Sequence, residues 1–296
     1  MGGVPQKKDQ PDVGEKALRK MDIGSGAGPS NSKKASQHPD PAVLNLLLTL
    51  LYGDVSKFPA RALSSCPIKA AATVTKLISQ METFKTDQAV ATAFSAPNTQ
   101  ATQLLSWLSS QGPVLAPAPA DMKIPGFKVN VHQFIVVQQD ETLQAAFDEQ
   151  MNLSSGKSGM VWHGTPISNV RSILRDGFAT SKDGFIWSAE DAEISYDFSF
   201  RFAIYPQYEP IARWGGCPYK SWGALLGCEV AGGGQRTPYT GTKYARLIKN
   251  PASIIVRYIL LLPPSEYPAN QVPKRNAVEP TMVAAFKEIR SWSGGE

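Results

Sequence analysis

The chain has 296 residues, of which 42% are hydrophobic and 19% charged, and it carries a formal net charge of +5 and three cysteines. This composition is typical of a folded globular protein, and the length allows about one to three domains of ordinary size. Three cysteines without a Cys-x-x-Cys pair argue against a disulfide framework, and the mild charge without a dense Lys/Arg cluster argues against nucleic-acid binding.

The sequence predicts neither a membrane span nor a secretion signal. No stretch reaches the roughly 20 apolar residues that cross a bilayer, and the start lacks the apolar core of a signal peptide. We therefore expect an intracellular protein, cytoplasmic or nuclear. Residues 1–38 are rich in Lys, Ser, Gly and Pro, so they predict a disordered tail that buries too little apolar surface to fold.

Residues 39–114 predict a small all-helical domain. The pair Asp40-Pro41 is typical of a helix start, with the aspartate as N-cap and the proline in the first turn. Apolar residues then recur at helical spacing in three stretches, which are Val43–Leu51, Ile68–Met81 and Ala101–Leu108.

The character of the sequence changes after Leu115–Pro119, a Pro- and Ala-rich stretch typical of a linker between domains. Strands are predicted at Phe127–Val137, Met160–Trp162, Phe185–Ser188, Gly223–Val230 and Ile254–Leu262, and helices at Thr142–Asn152 and Val170–Gly177. Short strands around a few helices indicate an α+β domain over residues 120–265, followed by a polar C-terminal extension over 266–296.

The most informative segment is Trp162–Phe178, in which a strand runs into His163-Gly164-Thr165 and an amphipathic helix follows. An imidazole at a strand end is held rigidly and can donate a hydrogen bond to a ribose hydroxyl. The neighbouring glycine lets the backbone approach a flat ligand. The segment strongly resembles the first motif of the PARP-type, diphtheria-toxin-like ADP-ribosyltransferases, a strand-borne His-Gly-Ser/Thr followed by a helix of the form Asn-x-x-Ser-Ile-x-x-x-Gly.

This resemblance implies NAD⁺ as co-substrate and assigns roles to the motif residues. It implies that His163 is catalytic and holds the adenosine-side ribose, that Gly164 pairs with the nicotinamide amide, and that Thr165 belongs to the same binding site. The other interpretation is a structural histidine that caps a turn.

The second family motif resembles Gly184–Tyr196, a strand followed by a helix with a tyrosine. The resemblance implies that Tyr196 stacks on the nicotinamide ring. The family's strand tyrosine is replaced by Ile186, and Trp187 is adjacent. Because side chains alternate along a strand, only one of the two can face the pocket. Ile186 and Trp187 are therefore both candidates for lining the NAD⁺ site. The other interpretation of Trp187 is a core aromatic.

Two further stretches resemble family strands. Trp222–Val230 is similar to a structural strand, so Glu229 on it is not expected to be catalytic. Polymerising members carry a glutamate at a third motif position, where Tyr244 is the best match here. The resemblance therefore implies Tyr244 as the third catalytic position and the transfer of a single ADP-ribose.

Taken together, the resemblance implies a mixed, mainly antiparallel, two-sheet transferase domain preceded by a small helical domain. The helical part, around Leu104–Ser110, resembles the regulatory unit of tail-anchored members of the family, although their membrane anchor has no counterpart in the sequence.

The expected function is transfer of one ADP-ribose from NAD⁺ to a protein acceptor, which could be the chain itself. The alternatives are a catalytically inactive NAD⁺- or ADP-ribose-binding scaffold and a structural protein that has lost the pocket. With His38, His132 and His163 as the only histidines, we expect no metal.

Overall fold

The computed structural model describes residues 38–97, 99–127, 130–200, 214–219, 223–240, 243–263 and 272–293. The predicted disordered tail, apart from its last residue, lies outside the described residues. From His38 onward the chain forms one compact α+β unit built from helices and an antiparallel sheet.

The elements follow one another in an order that places most helices before or between strands. The helices are α1 (Pro41–Lys57), α2 (Pro59–Ala62), α3 (Ala71–Gln80), α4 (Asp87–Ser95), α5 (Gln100–Ser109), α6 (Glu141–Leu153), α7 (Ile167–Asp176), α8 (Ala192–Phe200) and α9 (Arg275–Ser293). The strands are β1 (Val114–Pro117), β2 (His132–Gln138), β3 (Ser158–Pro166), β4 (Ile186–Ala189), β5 (Gly223–Ala231), β6 (Gln235–Thr240), β7 (Lys243–Ile248) and β8 (Ile254–Leu262).

The eight strands of the described residues belong to one sheet, in the order β1-β2-β8-β5-β3-β4-β7-β6, and every neighbouring pair is antiparallel. Strand β3 pairs with β5 along its whole length, from Ser158 to Pro166. It pairs with β4 only where Trp162 faces Ala189. The prediction of two sheets is therefore wrong, because this single residue pair joins the two halves into one.

Helices cover both faces of the sheet, so the central strands are apolar on both sides. On one face the core includes Leu226 of β5 together with residues of α1 and α7. On the other face it includes Leu225, the next residue of β5, together with residues of α8 and α9. Strands β5 and β8 are buried at every position, which explains their nearly unbroken apolar sequences.

Helix α1 belongs to two hydrophobic clusters at once. Its residues Val43, Leu46 and Leu50 pack in the core of the sheet. Leu44 and Leu48, on the opposite side of the helix, pack with α3 and α5 in a separate helical cluster. The predicted helices are confirmed in this region, and they are packed on the sheet through α1.

Four features of the sequence prediction are corrected. The presumed linker Leu115–Pro119 is largely β1, an edge strand paired with β2, and an edge position tolerates its terminal proline. The polar extension at 266–296 contains α9, whose buried residues are Val278, Met282, Ala285, Phe286 and Ile289. Strands β6 and β7 were also missed, and β2 begins at His132, five residues after Phe127.

A buried carboxylate fastens α1 to α7. The side chain of Asp54 is fully buried, and its carboxylate lies 3.1 Å from Arg171 and 3.7 Å from Arg175, both on α7. Arg61 of α2 approaches the same carboxylate at 3.4 Å. Arg171 also donates to the carbonyl of Ala62. One carboxylate therefore compensates several guanidinium groups at the junction between the helical region and the sheet.

Replacing Asp54 with alanine should lower the free energy of unfolding by about 3–5 kcal/mol, because it leaves the mostly buried Arg171 without its counter-charge. Equilibrium urea unfolding measures this change. The matched control is Asp87→Ala, at an exposed position in the first turn of α4, which should cost at most about 1 kcal/mol. Equal effects in the two variants would show that the carboxylate is not the fastening group.

Candidate functional site

The candidate site lies where strands β3 and β4 separate, and we call this point the fork in the sheet. Immediately after the pair Trp162–Ala189, β3 stays on β5 while β4 leaves it. His163 is the next residue of β3, and its Nδ1 lies 2.9 Å from the carbonyl oxygen of Trp187 on β4. A carbonyl only accepts hydrogen bonds, so Nδ1 carries a proton. The imidazole thus links the two strands just beyond the end of their ladder.

Burial determines the charge of this imidazole. His163 is half-buried, and the edge of its ring packs against Phe178, with centroids 5.1 Å apart. Burial lowers the pKa of His163 to about 4, although the hydrogen bond to Trp187 acts in the opposite direction. The ring is therefore neutral at physiological pH. With the proton on Nδ1 of a neutral ring, Nε2 accepts a hydrogen bond, so a ribose hydroxyl at this position would donate to it.

Gly164 is the point at which α8 contacts β3. A Cβ atom at this position would overlap the carbonyl oxygen of Ser195 and would lie 2.8 Å from Ser199 Oγ. Only glycine fits beneath the helix at this separation. We expected a ligand to approach the backbone of Gly164 closely, but in the structure the backbone of α8 does so. Gly164 also lines the adjacent cavity.

A cavity of about 90 Å³ occupies the fork. Its walls come from β3, β4, α8 and the β6–β7 pair, and two exposed aromatic side chains, Trp187 (39% exposed) and Tyr239 (37% exposed), form part of its lining. The lining residues are His163, Gly164, Trp187, Ser188, Ala189, Ile194, Ser195, Phe198, Tyr239 and Ala245. The cavity therefore combines a neutral imidazole with three aromatic rings.

The alternation of β4 distinguishes between the two candidate residues of this strand. Ile186 is buried in the core on the α1–α7 side and is paired with Ile248. Trp187, the next residue, lines the cavity, and its indole Nε1 donates to Asp183 at 2.8 Å. The prediction that Ile186 lines the pocket is wrong, as is the interpretation of Trp187 as a core aromatic.

Tyr196 lies on the wrong face of α8 for the predicted stacking role. It is buried in the core on the α8–α9 side, in the same cluster as Trp162. The cavity is instead lined by Ile194, Ser195 and Phe198 of the same helix, which share a face through i, i+3 and i, i+4 spacing. Phe198, whose ring lies 6.3 Å from that of Tyr239, is the aromatic of α8 in the cavity and was missed.

Two further predicted residues also lie outside the cavity lining. Thr165 is buried, and its Oγ1 accepts a hydrogen bond from Asn169, so it joins the end of β3 to the first turn of α7. Tyr244 lies under the guanidinium of Arg236, with 3.5 Å between the guanidinium carbon and the ring centroid. Since Ala245 is the β7 residue in the cavity, alternation turns Tyr244 to the opposite face of the sheet.

Glu190, which sequence reasoning also passed over, fixes the chain between β4 and α8. Its buried carboxylate lies 3.0 Å from Arg236, 2.7 Å from Arg246 and 2.7 Å from Arg275. These arginines belong to β6, β7 and α9 respectively. The start of α8, and with it the cavity wall, is therefore held by charge-assisted contacts from three elements.

No protein-family model matches the chain. No curated protein matches it either. Within the described ranges, no group of three or more His, Cys, Asp or Glu side chains is placed to hold a metal ion. None of the helices in that part of the chain is both long and apolar enough to cross a bilayer.

The burial of His163 predicts a defined dependence on pH. An unfolded-state imidazole takes up its proton near pH 6.5, whereas the folded one does so near pH 4. The unfolded state binds more protons in this window, so the free energy of unfolding should fall by about 3 kcal/mol as pH drops from 6.5 to 4. Imidazole Cε1–H resonances, with His163 assigned from a His163→Gln variant, report the protonation directly. A His163 titration midpoint near 6.5 would contradict the burial.

Proposed function

We propose that the chain is an ADP-ribosyltransferase that transfers one ADP-ribose from NAD⁺ to a protein side chain and releases nicotinamide. The observation that carries the proposal is the fork in the sheet, where His163 and Gly164 lie side by side across from Trp187 around a cavity. These are the residues of the His-Gly-Thr segment whose sequence resembles the PARP-type motif.

The neutral imidazole suits the binding of a sugar. Its Nδ1 donates to the Trp187 carbonyl, and the lone pair of Nε2 can accept a hydrogen bond from a ribose hydroxyl. Trp187 and Phe198 provide aromatic faces for a pyridinium ring, and the backbone at Gly164 provides amide groups for a carboxamide. Each of these groups binds and orients the dinucleotide without undergoing chemical change.

The proposed chemistry is a substitution at the anomeric carbon of the nicotinamide-side ribose. The bond from this carbon to the pyridinium nitrogen breaks, and its electron pair leaves with nicotinamide, which becomes neutral. The ribose passes through an oxocarbenium-like state, and an acceptor oxygen forms the new bond and releases its proton if it carries one. Since the leaving group is neutral, rate acceleration rests on positioning and on the surrounding dipoles.

The lack of an available carboxylate in the described cavity lining favours transfer of a single ADP-ribose unit. None of the described lining residues is a carboxylate, and Tyr244, the best sequence match for the polymerising glutamate, faces away from the cavity. Glu190, adjacent to the lining residue Ala189, is already engaged by three arginines. The described lining thus offers no carboxylate base for activating a hydroxyl of a growing polymer, so a carboxylate acceptor that carries its own negative charge suits it best.

A second candidate function is an NAD⁺- or ADP-ribose-binding scaffold without transferase activity. Two observations favour it. The cavity, at about 90 Å³, is smaller than the cavity of about 150 Å³ that accepts benzene, so a ring enters only if Trp187 or Tyr239 moves outward. Tyr196, the expected stacking residue, is in the core.

Incubation of the purified chain with NAD⁺ labelled in the adenosine moiety should produce covalently labelled protein bearing single ADP-ribose units. His163→Ala should abolish labelling, because it removes the ribose contact. The control is His132→Ala, since His132 lies on β2 with its ring against Tyr219 and outside the cavity. NAD⁺ binding without label transfer or nicotinamide release would support the scaffold and overturn the enzyme.

Trp187 and Ile186 should differ in what they contribute. Trp187→Ala should weaken binding of a nicotinamide analogue such as benzamide at least about fivefold, because an aromatic contact is lost, while leaving stability nearly unchanged. Ile186→Ala should lower the free energy of unfolding by about 2–5 kcal/mol, because it opens a hole in the core. Calorimetric titration and urea unfolding of both variants measure the two effects. Equal binding by Trp187→Ala and the unaltered chain would remove Trp187 from the site.

A further inference from the structure

A second cavity, with a volume of about 140 Å³, lies between α6, α7 and the start of β8. It shares no lining residue with the cavity at the fork. Phe178 stands between them, because it lines the second cavity and packs against the edge of the His163 ring. The sequence motif, the proposed reaction and the helical region leave this cavity without a role.

The walls of the second cavity are mainly apolar. Leu143 and Ala146 of α6 face Ile173 of α7, and Ile255 of β8 closes one side. At about 140 Å³ the space matches the cavity of about 150 Å³ that accepts benzene, so it fits one six-membered ring. Apolar walls favour a ligand that has no charge.

One buried polar side chain in the cavity wall can orient a ligand. Gln139 is only 5% exposed and lines the cavity. Its Oε1 accepts a hydrogen bond from the backbone nitrogen of Asp140 at 3.2 Å, whereas its Nε2 donates to no residue in the part of the chain that the structure describes. This donor lies in a mainly apolar wall, so a ligand oxygen that accepts from Nε2 would add a hydrogen bond to the apolar contacts.

The charges around the cavity disfavour anions. Asp176, at the C-terminal end of α7, lines the cavity, and Arg175 holds it in the ionised form with bonds of 2.8 and 2.6 Å. The end of a helix carries partial negative charge, which Gly177 exposes by ending α7 with a φ of 80°. None of the described lining residues is a lysine or arginine that could pair with a carboxylate or phosphate, whereas a neutral carbonyl can still reach Gln139.

We propose that the second cavity is a binding site for a neutral, ring-sized apolar molecule with one carbonyl-type oxygen, which accepts a hydrogen bond from Gln139. The apolar walls hold the ring and the amide of Gln139 sets its orientation. This proposal does not depend on the ADP-ribosyltransferase activity, and its test uses no NAD⁺.

The test compares acetophenone with ethylbenzene, which has a similar shape but no acceptor oxygen. Titrations of the full chain are followed by the methyl resonances of Leu143, Ala146 and Ile173. Acetophenone should shift these resonances and bind about fivefold more tightly than ethylbenzene, which is the effect of one net hydrogen bond of about 1 kcal/mol. Gln139→Leu should remove this preference while ethylbenzene still binds.

A filled cavity provides the second arm of the experiment. Ala146→Phe places a ring in the space and should abolish the binding of both compounds, while Ala72→Phe, on the exposed face of α3, should leave binding unchanged. If Ala146→Phe does not fold, Gln139→Leu decides. The proposal is overturned if the unaltered chain binds neither compound, if it binds both equally, or if shifts appear only at the fork around His163.

Discussion

The contact between the backbone of α8 and two glycines of the sheet sets the geometry of the candidate site. Side chains are excluded at Gly164 and Gly223, because their Cβ atoms would collide with the carbonyls of Ser195 and Ser199. The hydroxyls of the same two serines donate to the strand carbonyls of Trp162 and Ala224. Helix α8 therefore lies directly on β3 and β5. This close packing brings Ser195 and its neighbours to the fork in the sheet.

Two buried carboxylates hold the helices that follow the site strands. Asp54 fastens α7, which follows β3, and Glu190 fixes the start of α8, which follows β4. In both clusters the arginines come from different elements, so the desolvation of one carboxylate is offset by several charge-assisted contacts. The rigidity of the fork thus depends on ion pairs outside the cavity, and they leave its lining free of charge.

Local periodicity was enough to predict elements such as α7 and β8, which fit one pattern from end to end. The orientation of α8 was not predictable from the sequence, because Tyr196 and Phe198 are both aromatic. Only the packing of the helix against Gly164 decides which of the two side chains faces the cavity. Helix α9 was missed although its buried residues repeat at helical spacing, since polar residues and an internal proline obscure it. The tautomer of His163 depends on a carbonyl 24 residues away, which no local pattern encodes.

The position of Phe178 connects the two cavities physically. Its side chain is almost fully buried, with one contact to the His163 ring and another surface lining the second cavity. Close-packed interiors transmit displacement, because a ring that shifts must push its neighbours. A molecule that presses on Phe178 from the second cavity would therefore act on the imidazole, whose position is fixed on its other side by the Trp187 carbonyl.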